Sequence, residues 1–396
     1  MSLVIFWTGW RSISLFPNSL TSLLVCGWGF IGPSAQGGAV RHRFGIPLLL
    51  CLLALAGCRD ESPVYNFHFV AFLGPVDLTI VGVKRSEAEN AAHILEQDFE
   101  SMRRSWGAPS AAPLERVNNL LPGSKSFAAP PCILPLVRRS KELAAASGNL
   151  FNPAIGRLID LWGFQVGESE RRRVPPERAK IEALVKTRPS MDDIQIDGIL
   201  LQGGNPDLKL DFGYIARGYA IDLAIDRLRD LGIHNALVNI GGDLRAIGTR
   251  GGPPWPVALR NPVGGGVLAI LQVSGDESVF TSGDYQLNFT YKGKTYHHVI
   301  DPRTGWPAEG TRLVTVIHQD ATGAAAAANA LMIAGPDLWQ QTAQAMGVRS
   351  CLLIDALGRI HMDPSMAGRI ELLDRNAEII PIPSPAPGDD SLSPGS

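Results

Sequence analysis

The stretch LKLDFGYIARGYAIDLAIDRLRDLGIHNALVNIGGD (208–243) decides the fold. Its first five residues alternate apolar and polar, which predicts a strand, LKLDF (208–212). Gly213 then opens a helix. Its apolar positions, Ile221, Ala224, Ile225, Leu228 and Leu231, recur every three or four residues and so share one face. Gly232 supplies the stop. NALVNI (235–240) reads as a buried strand that runs into Gly241-Gly242-Asp243.

On the C-terminal side, strands are predicted at 267–273, 286–292 and 312–318. An Ala-rich helix follows at about 322–334, then strands at 351–355 and 370–373. On the N-terminal side, 67–83 predicts two strands around a Gly74-Pro75 turn. A helix is expected from Ser86 to about Arg104, with Ala91, Ile94, Leu95, Phe99 and Met102 on one face. Residues 107–131 are rich in Pro, Ser and Gly and read as a loop. A second helix, about 135–146, stops at Gly148, and 170–190 reads as a charged surface excursion with one short helix. The expectation is a mixed α+β fold with antiparallel strands prominent.

The chain has 396 residues, 45% of them hydrophobic, and a formal net charge of −2. That supports one large domain or two smaller ones, and the balanced charge argues against a nucleic-acid partner. Arg41, His42 and Arg43 precede an apolar run, FGIPLLLCLLALAG (44–57), which ends at Cys58. A basic start, a short apolar middle and a small-residue exit describe a secretory signal peptide, and the run is short for a transmembrane helix. Leu55-Ala-Gly-Cys58 looks like a bacterial lipobox, so Cys58 is the expected lipidated first residue of the mature protein. The alternative is an uncleaved apolar anchor. Residues 1–40 form a doubtful leader, either an over-extended reading frame or an unusual leader; 58–380 is the expected domain, and 381–396 a disordered tail. Localisation in a bacterial cell envelope, lipid-anchored and facing the periplasm or exterior, follows from these segments. Cys132 and Cys351 would remain after processing, and nothing in the sequence pairs them.

Two segments carry chemistry. In DFGYIARGYAID (211–222) a strand end bearing a carboxylate meets a helix start, where free N–H groups suit phosphate oxygens and Arg217 lies one turn in. An N-capping Asp with a turn glycine accounts for the same spacing. In VFTSGDYQLNF (279–289) and KTYHHVIDPRTGWP (294–307), hydroxyls, an acid and paired histidines gather at strand ends. A histidine can act as general base for a hydroxyl nucleophile, although DPRTG is also a good β-turn.

Taken in order, FNPAIGRLIDLWGF (151–164), DFGYIARGYAID (211–222), NALVNIGGDLRAIG (235–248), TSGDY (281–285) and HHVIDPRTGWP (297–307) make the chain resemble the FAD:protein FMN transferase (ApbE-type) family from about residue 66 to 375. The resemblance implies an ApbE-like arrangement of mixed sheets, packed helices and a flavin cleft. It implies FAD as substrate and Mg²⁺ as cofactor. An acceptor protein of a membrane redox complex would receive FMN on a Ser or Thr hydroxyl while AMP leaves. Carried over by position, His298 is the base, and His297 faces the other side of its strand. Asp211, Arg217, Leu73, Trp106, Leu150, Phe151, Asn152 and Ile300 contact the cofactor. Arg217 stands where the family often has Lys, and Asn152 where it usually has Asp. The metal position departs further. Ala325 stands where the family has an Asp ligand and Asn329 where it has Thr, leaving the Tyr214 carbonyl and the Asn329 amide as donors. Asp320 and Thr322 are further oxygens, each more simply an N-cap of the Ala-rich helix, and Asp301 is another. FAD hydrolysis to FMN and AMP, and non-catalytic flavin binding, are the alternatives this departure leaves open.

Overall fold

In a computed structural model, the structure describes residues 62–71, 74–106, 113–164, 173–262, 265–373 and 377–380. The leader, the apolar run, Cys58, Leu73 and the 381–396 tail lie outside the described residues. The hairpin expected around Gly74-Pro75 pairs Val64–Ala71 with Gly74–Val81 and begins the main sheet. Among the described residues that sheet has nine strands, and their order in space is their order in the chain. After the hairpin come Ala236–Ile240, Asp243–Ile247, Glu277–Gly283, Thr311–His318, Ser350–Asp355, Ile360–Met362 and Ile379–Ile380. All neighbours are antiparallel except the last pair.

Alternation along these strands builds two cores on opposite faces of the sheet. Val76, Leu78, Ile80, Val238, Ile240, Val314 and Val316 face the helices Arg85–Trp106, Ile215–Asp230 and Ala321–Ala345. Leu244, Ala246, Val279, Leu313 and Ile317 face a second sheet of Trp255–Arg260, Val267–Val273 and Ile370–Leu372. A third cluster surrounds Trp162, where Phe164, Phe289 and Tyr296 lie with ring centroids within 6.5 Å of it.

The Ala-rich helix fills the narrowest space. Helix Ala321–Ala345 packs against both the sheet and helix Ile215–Asp230, and Ala324, Ala326, Ala327 and Ala330 are fully buried. At the crossing, a Cβ on Gly218 would lie 2.3 Å from the Ala321 carbonyl oxygen, so the backbones meet where a side chain cannot stand. The helix also runs further than its composition predicts. It breaks direction at Gly335 (φ 72°) and continues through Pro336.

Several expectations need correction. Residues 208–212 form no ladder; the single bridge is Ile155 to Lys209. The segment is extended, but Lys209 and Asp211 donate to the Ala154 and Pro153 carbonyls, and the Asn118 side chain satisfies both backbone groups of Leu210. The expected loop 107–131 contains helix Pro113–Leu120, which buries Val117 and Asn118. The expected strand 286–292 is a hairpin arm, Asn288–Tyr291, that turns at Lys292-Gly293 and returns as Lys294–His297. Several strands escaped the sequence, among them Asp243–Ile247, Trp255–Arg260 and the hydroxyl-rich Glu277–Gly283. Among the described residues no helix is long and apolar enough to cross a membrane.

Candidate active site

A cleft of about 360 Å³, counting the part open to solvent, lies where four segments converge. Leu150, Phe151, Asn152 and Pro153 form one wall, with Ile155 and Ile159; Asp211 and Tyr214, Ile300, and Asn329 form the rest. Seven residues that the sequence nominated (Leu150, Phe151, Asn152, Asp211, Tyr214, Ile300 and Asn329) therefore share one surface. Pro153, Ile155 and Ile159 were not nominated, although the stretch 151–164 had already drawn attention to itself.

Local chemistry aims each wall. Helix Leu134–Ala146 ends at Ser147, and two left-handed residues follow, Gly148 (φ 61°) and Asn149 (φ 63°), types that tolerate this conformation. The Ser147 hydroxyl accepts from the Phe151 N–H at 3.1 Å, which folds Leu150 and Phe151 back toward the cleft. Asn152 accepts from the Ala154 N–H and donates to the Pro189 carbonyl at 2.9 Å, roles an acid could fill only in part. Asp211 accepts from the Gly213 N–H at 2.7 Å, and burial pushes its carboxyl above the usual range despite that bond.

The helix bearing Asn329 is pinned at its start. Asp320 caps it through the Gly323 N–H at 2.6 Å. Asp222, on helix Ile215–Asp230, accepts from the N–H groups of Ala321 and Thr322, from the Thr322 hydroxyl, and from Arg245 at 2.5 Å. Asn329 then reaches the cleft two turns along, buried, and lines it with Tyr214. Burial holds the Tyr214 phenol well above its usual pKa, and the Asp211 carboxyl adds to the effect.

The two histidines separate as expected. His297 is buried, bonds the Ala308 carbonyl at 2.8 Å, and has its basicity lowered by burial. His298 is half-buried; its ring stacks on Tyr214 at 5.4 Å and 15°, and its carbonyl accepts from the Tyr214 hydroxyl at 3.0 Å. Phe164 presents an edge-on contact to the same imidazole.

Two nominated cofactor residues lie elsewhere. Arg217 donates to Asp243 at 2.5 Å, and Asp243 also accepts from the Thr281 N–H, so the three motifs 211–222, 235–248 and 281–285 meet at one carboxylate. Trp106 donates to the Cys132 carbonyl at 3.1 Å and packs on Tyr219. Neither lines the cleft.

The donor set does not fit Mg²⁺. Among the described residues no group of three or more His, Cys, Asp or Glu side chains converges. Ala325 offers a methyl, and a hard cation needs several oxygens in octahedral array. The other oxygens are committed: Asp320 to the helix cap, Arg139 and His318, Thr322 to Asp222, and Asp301 to Arg303. Tyr214 and Asn329 do come together as the sequence placed them, but through their side chains.

Residues 75–352 match the model of the ApbE family. The chain is 33% identical over 350 residues to an FAD:protein FMN transferase of Rhodobacter capsulatus, covering 87% of this chain and 66% of that one. A Vibrio cholerae protein of the same name is 29% identical over 316 residues, covering 77% and 92%. Among solved structures, the ApbE protein of Thermotoga maritima superposes with a TM-score of 0.69 at 28% identity, covering 78% of this chain and 99% of that one. The Pseudomonas stutzeri flavinyl transferase ApbE, in its apo form, gives 0.65 at 29% identity, with 77% and 95% covered. With the matched fold housing the cleft and its histidine, the chain belongs to the ApbE family.

Proposed function

We propose that this chain transfers the FMN half of FAD to a Ser or Thr hydroxyl of an acceptor protein. The observation that carries this is the single cleft joining Leu150–Asn152, Asp211, Tyr214, Ile300 and Asn329, with His298 stacked on its Tyr214 wall. Relatives named FAD:protein FMN transferase support the same reaction. The acceptor oxygen forms a bond to the FMN-side phosphorus, the bridging P–O bond breaks, and AMP departs with the bond's electrons. His298 takes the hydroxyl proton, which is general-base work. The apolar walls of Leu150, Phe151 and Ile300 suit an isoalloxazine ring, and positioning supplies much of the rate. Mg²⁺, which the resemblance implied, has no step here, because the residues do not fit it.

The basic-then-apolar run ending at Cys58 supports a lipid tether at a bacterial envelope membrane. The acceptor is then an exported or membrane-embedded redox subunit. The Ala325 methyl favours a second reading, in which the protein binds FAD without transferring it.

The test is incubation of purified protein with FAD and a Ser/Thr-bearing acceptor subunit, followed by a denaturing gel. Flavin fluorescence migrating with the acceptor supports transfer. Tight FAD binding with no covalent fluorescence supports the second reading, and release of FMN and AMP without acceptor labelling indicates hydrolysis.

A further inference from the structure

The resemblance assigned Tyr214 one role, a backbone carbonyl. The structure shows its side chain touching both ends of the chemistry. On one side it meets Asn329 inside the cleft, where it lines the wall with Asp211. On the other it makes two separate contacts to His298: its hydroxyl donates to the His298 carbonyl at 3.0 Å, and its ring lies nearly parallel to the imidazole, 5.4 Å between centroids and 15° between planes. The backbone just ahead of the histidine is also fixed, because the His298 N–H donates to the Leu287 carbonyl at 2.9 Å. Phe164 closes the other approach with its ring edge at 71°.

We infer that the Tyr214 side chain is the positioning residue for His298, fixing both the backbone and the ring plane of the base against the cleft. The physical case is one of redundancy. A half-buried imidazole at a strand end retains rotamer freedom about its side-chain bonds. The hydroxyl–carbonyl bond bears on where the side chain starts, and the parallel ring bears on which plane it occupies. Tyr214 is the N-cap residue of helix Ile215–Asp230, inside the turn that the Ala216 N–H closes on the Phe212 carbonyl. The consequence belongs to the acceptor side of the reaction. A base misplaced by a rotamer loses rate while flavin affinity is largely kept, since the imidazole touches the hydroxyl proton rather than the cofactor.

The kinetic part rests on the transfer function proposed above; the geometric part does not. Two variants separate the two contacts. Tyr214→Phe keeps the ring and loses the hydroxyl bond to the His298 carbonyl; a loss of about 2–10-fold in kcat is expected for one such bond. Tyr214→Ala loses both, and a fall on the order of 10² in kcat is expected, part of what general-base removal costs. The deciding measurement is the double variant Tyr214→Ala/His298→Ala, which should be no slower than His298→Ala alone, because Tyr214 acts through the imidazole. Additive losses would overturn the inference. So would Tyr214→Phe falling as far as Tyr214→Ala, which would make the ring stack irrelevant.

A second readout is independent of turnover. In protein labelled at histidine, the His298 ring-proton resonances should carry a ring-current shift that Tyr214→Phe keeps and Tyr214→Ala reduces to the part that Phe164 supplies. An unchanged resonance in Tyr214→Ala would overturn the inference. If wild-type protein transfers no flavin at all while this shift behaves as expected, the positioning contact stands and the transfer function is what fails.

Discussion

Replacing Gly218 with alanine sets two effects of opposite sign against each other. Helix propensity favours the change, since alanine in a helix interior is better than glycine by about 1 kcal/mol. Packing opposes it. The new Cβ would meet the Ala321 carbonyl oxygen at 2.3 Å, its carbon at 2.7 Å and the Thr322 Cα at 2.9 Å. These are backbone atoms at the capped start of a buried helix, so no flexible side-chain tip can swing away, and the two helices must part by about 1 Å. Overpacking of this kind costs about 1–3 kcal/mol. Parting the helices also stretches the bonds from Ala321 and Thr322 to Asp222, each worth about 1 kcal/mol. The sum favours destabilisation by about 1–3 kcal/mol, a fall of roughly 2–5 °C in Tm for a domain this size. Because the displaced helix carries Asn329, FAD affinity should weaken in the same variant. Urea melts and flavin fluorescence titrations measure both. A Gly218→Ala protein stabilised by about 1 kcal/mol, with FAD affinity unchanged, would refute the close-crossing argument and leave propensity as the winner.

His298→Ala should lower transfer on the order of 10²–10⁴ while FAD affinity is kept, whereas His297→Ala should act mainly on stability; equal transfer losses in steady-state assays would contradict the division of roles. EDTA should leave FAD affinity of the wild type unchanged, and Ala325→Asp with Asn329→Thr, four residues apart on one helix face, should make it Mg²⁺-dependent by about tenfold or more; a titration in which EDTA weakens the wild type would show that other oxygens hold an ion. Burial works against ionisation of Asp355, but hydrogen bonds from His361 and Arg359 and from the Leu357 and Arg359 N–H groups outweigh it and bring its pKa down to about 2. The folded value lies below the ordinary one, so this stabilisation, on the order of 2 kcal/mol, is complete above about pH 4 and is lost as pH falls through 2; Asp355→Asn should flatten that limb of an acid melt, and an unchanged limb would count against it. Cys58→Ser should release the protein from the membrane fraction or leave it unprocessed, and fractionation like the wild type would end the lipobox proposal.

The elements that read correctly from sequence are those whose partners are of one kind. The helix after Gly213 repeats its apolar stripe because one face meets the sheet, and the two strands expected in 67–83 pair with each other, with Gly74 and Pro75 inside the second strand. The misreadings come where side chains or short segments replace regular pairing. LKLDF alternates like a strand, yet Asn118, ninety-two residues away, takes the place of a neighbouring strand at Leu210. Glu277–Gly283 forms a central strand despite Ser278, Thr281 and Ser282: the buried Thr315 hydroxyl partners that of Thr281, while the Ser278 and Ser282 hydroxyls are buried without a partner among the described residues. In the site, position along the motifs was enough to gather seven residues in one cleft. It was not enough for Arg217, whose guanidinium is drawn to Asp243, or for Trp106, whose indole turns to Cys132. Those outcomes depend on which charged or polar group lies nearest in space, and spacing carries no record of that.

The order of the main sheet has a bearing on how the chain is made. Each strand joins the growing edge in the sequence in which it is translated, but the hairpin Val64–Val81 emerges far ahead of its next neighbour, Ala236–Ile240. Until that neighbour arrives, Gly74–Val81 presents an unpaired edge, and of the helices that cover Val76, Leu78 and Ile80 only Arg85–Trp106 has been made. Such an edge invites pairing with another nascent chain. Pairing with Ala236–Ile240 removes that edge once the later half of the polypeptide has been made.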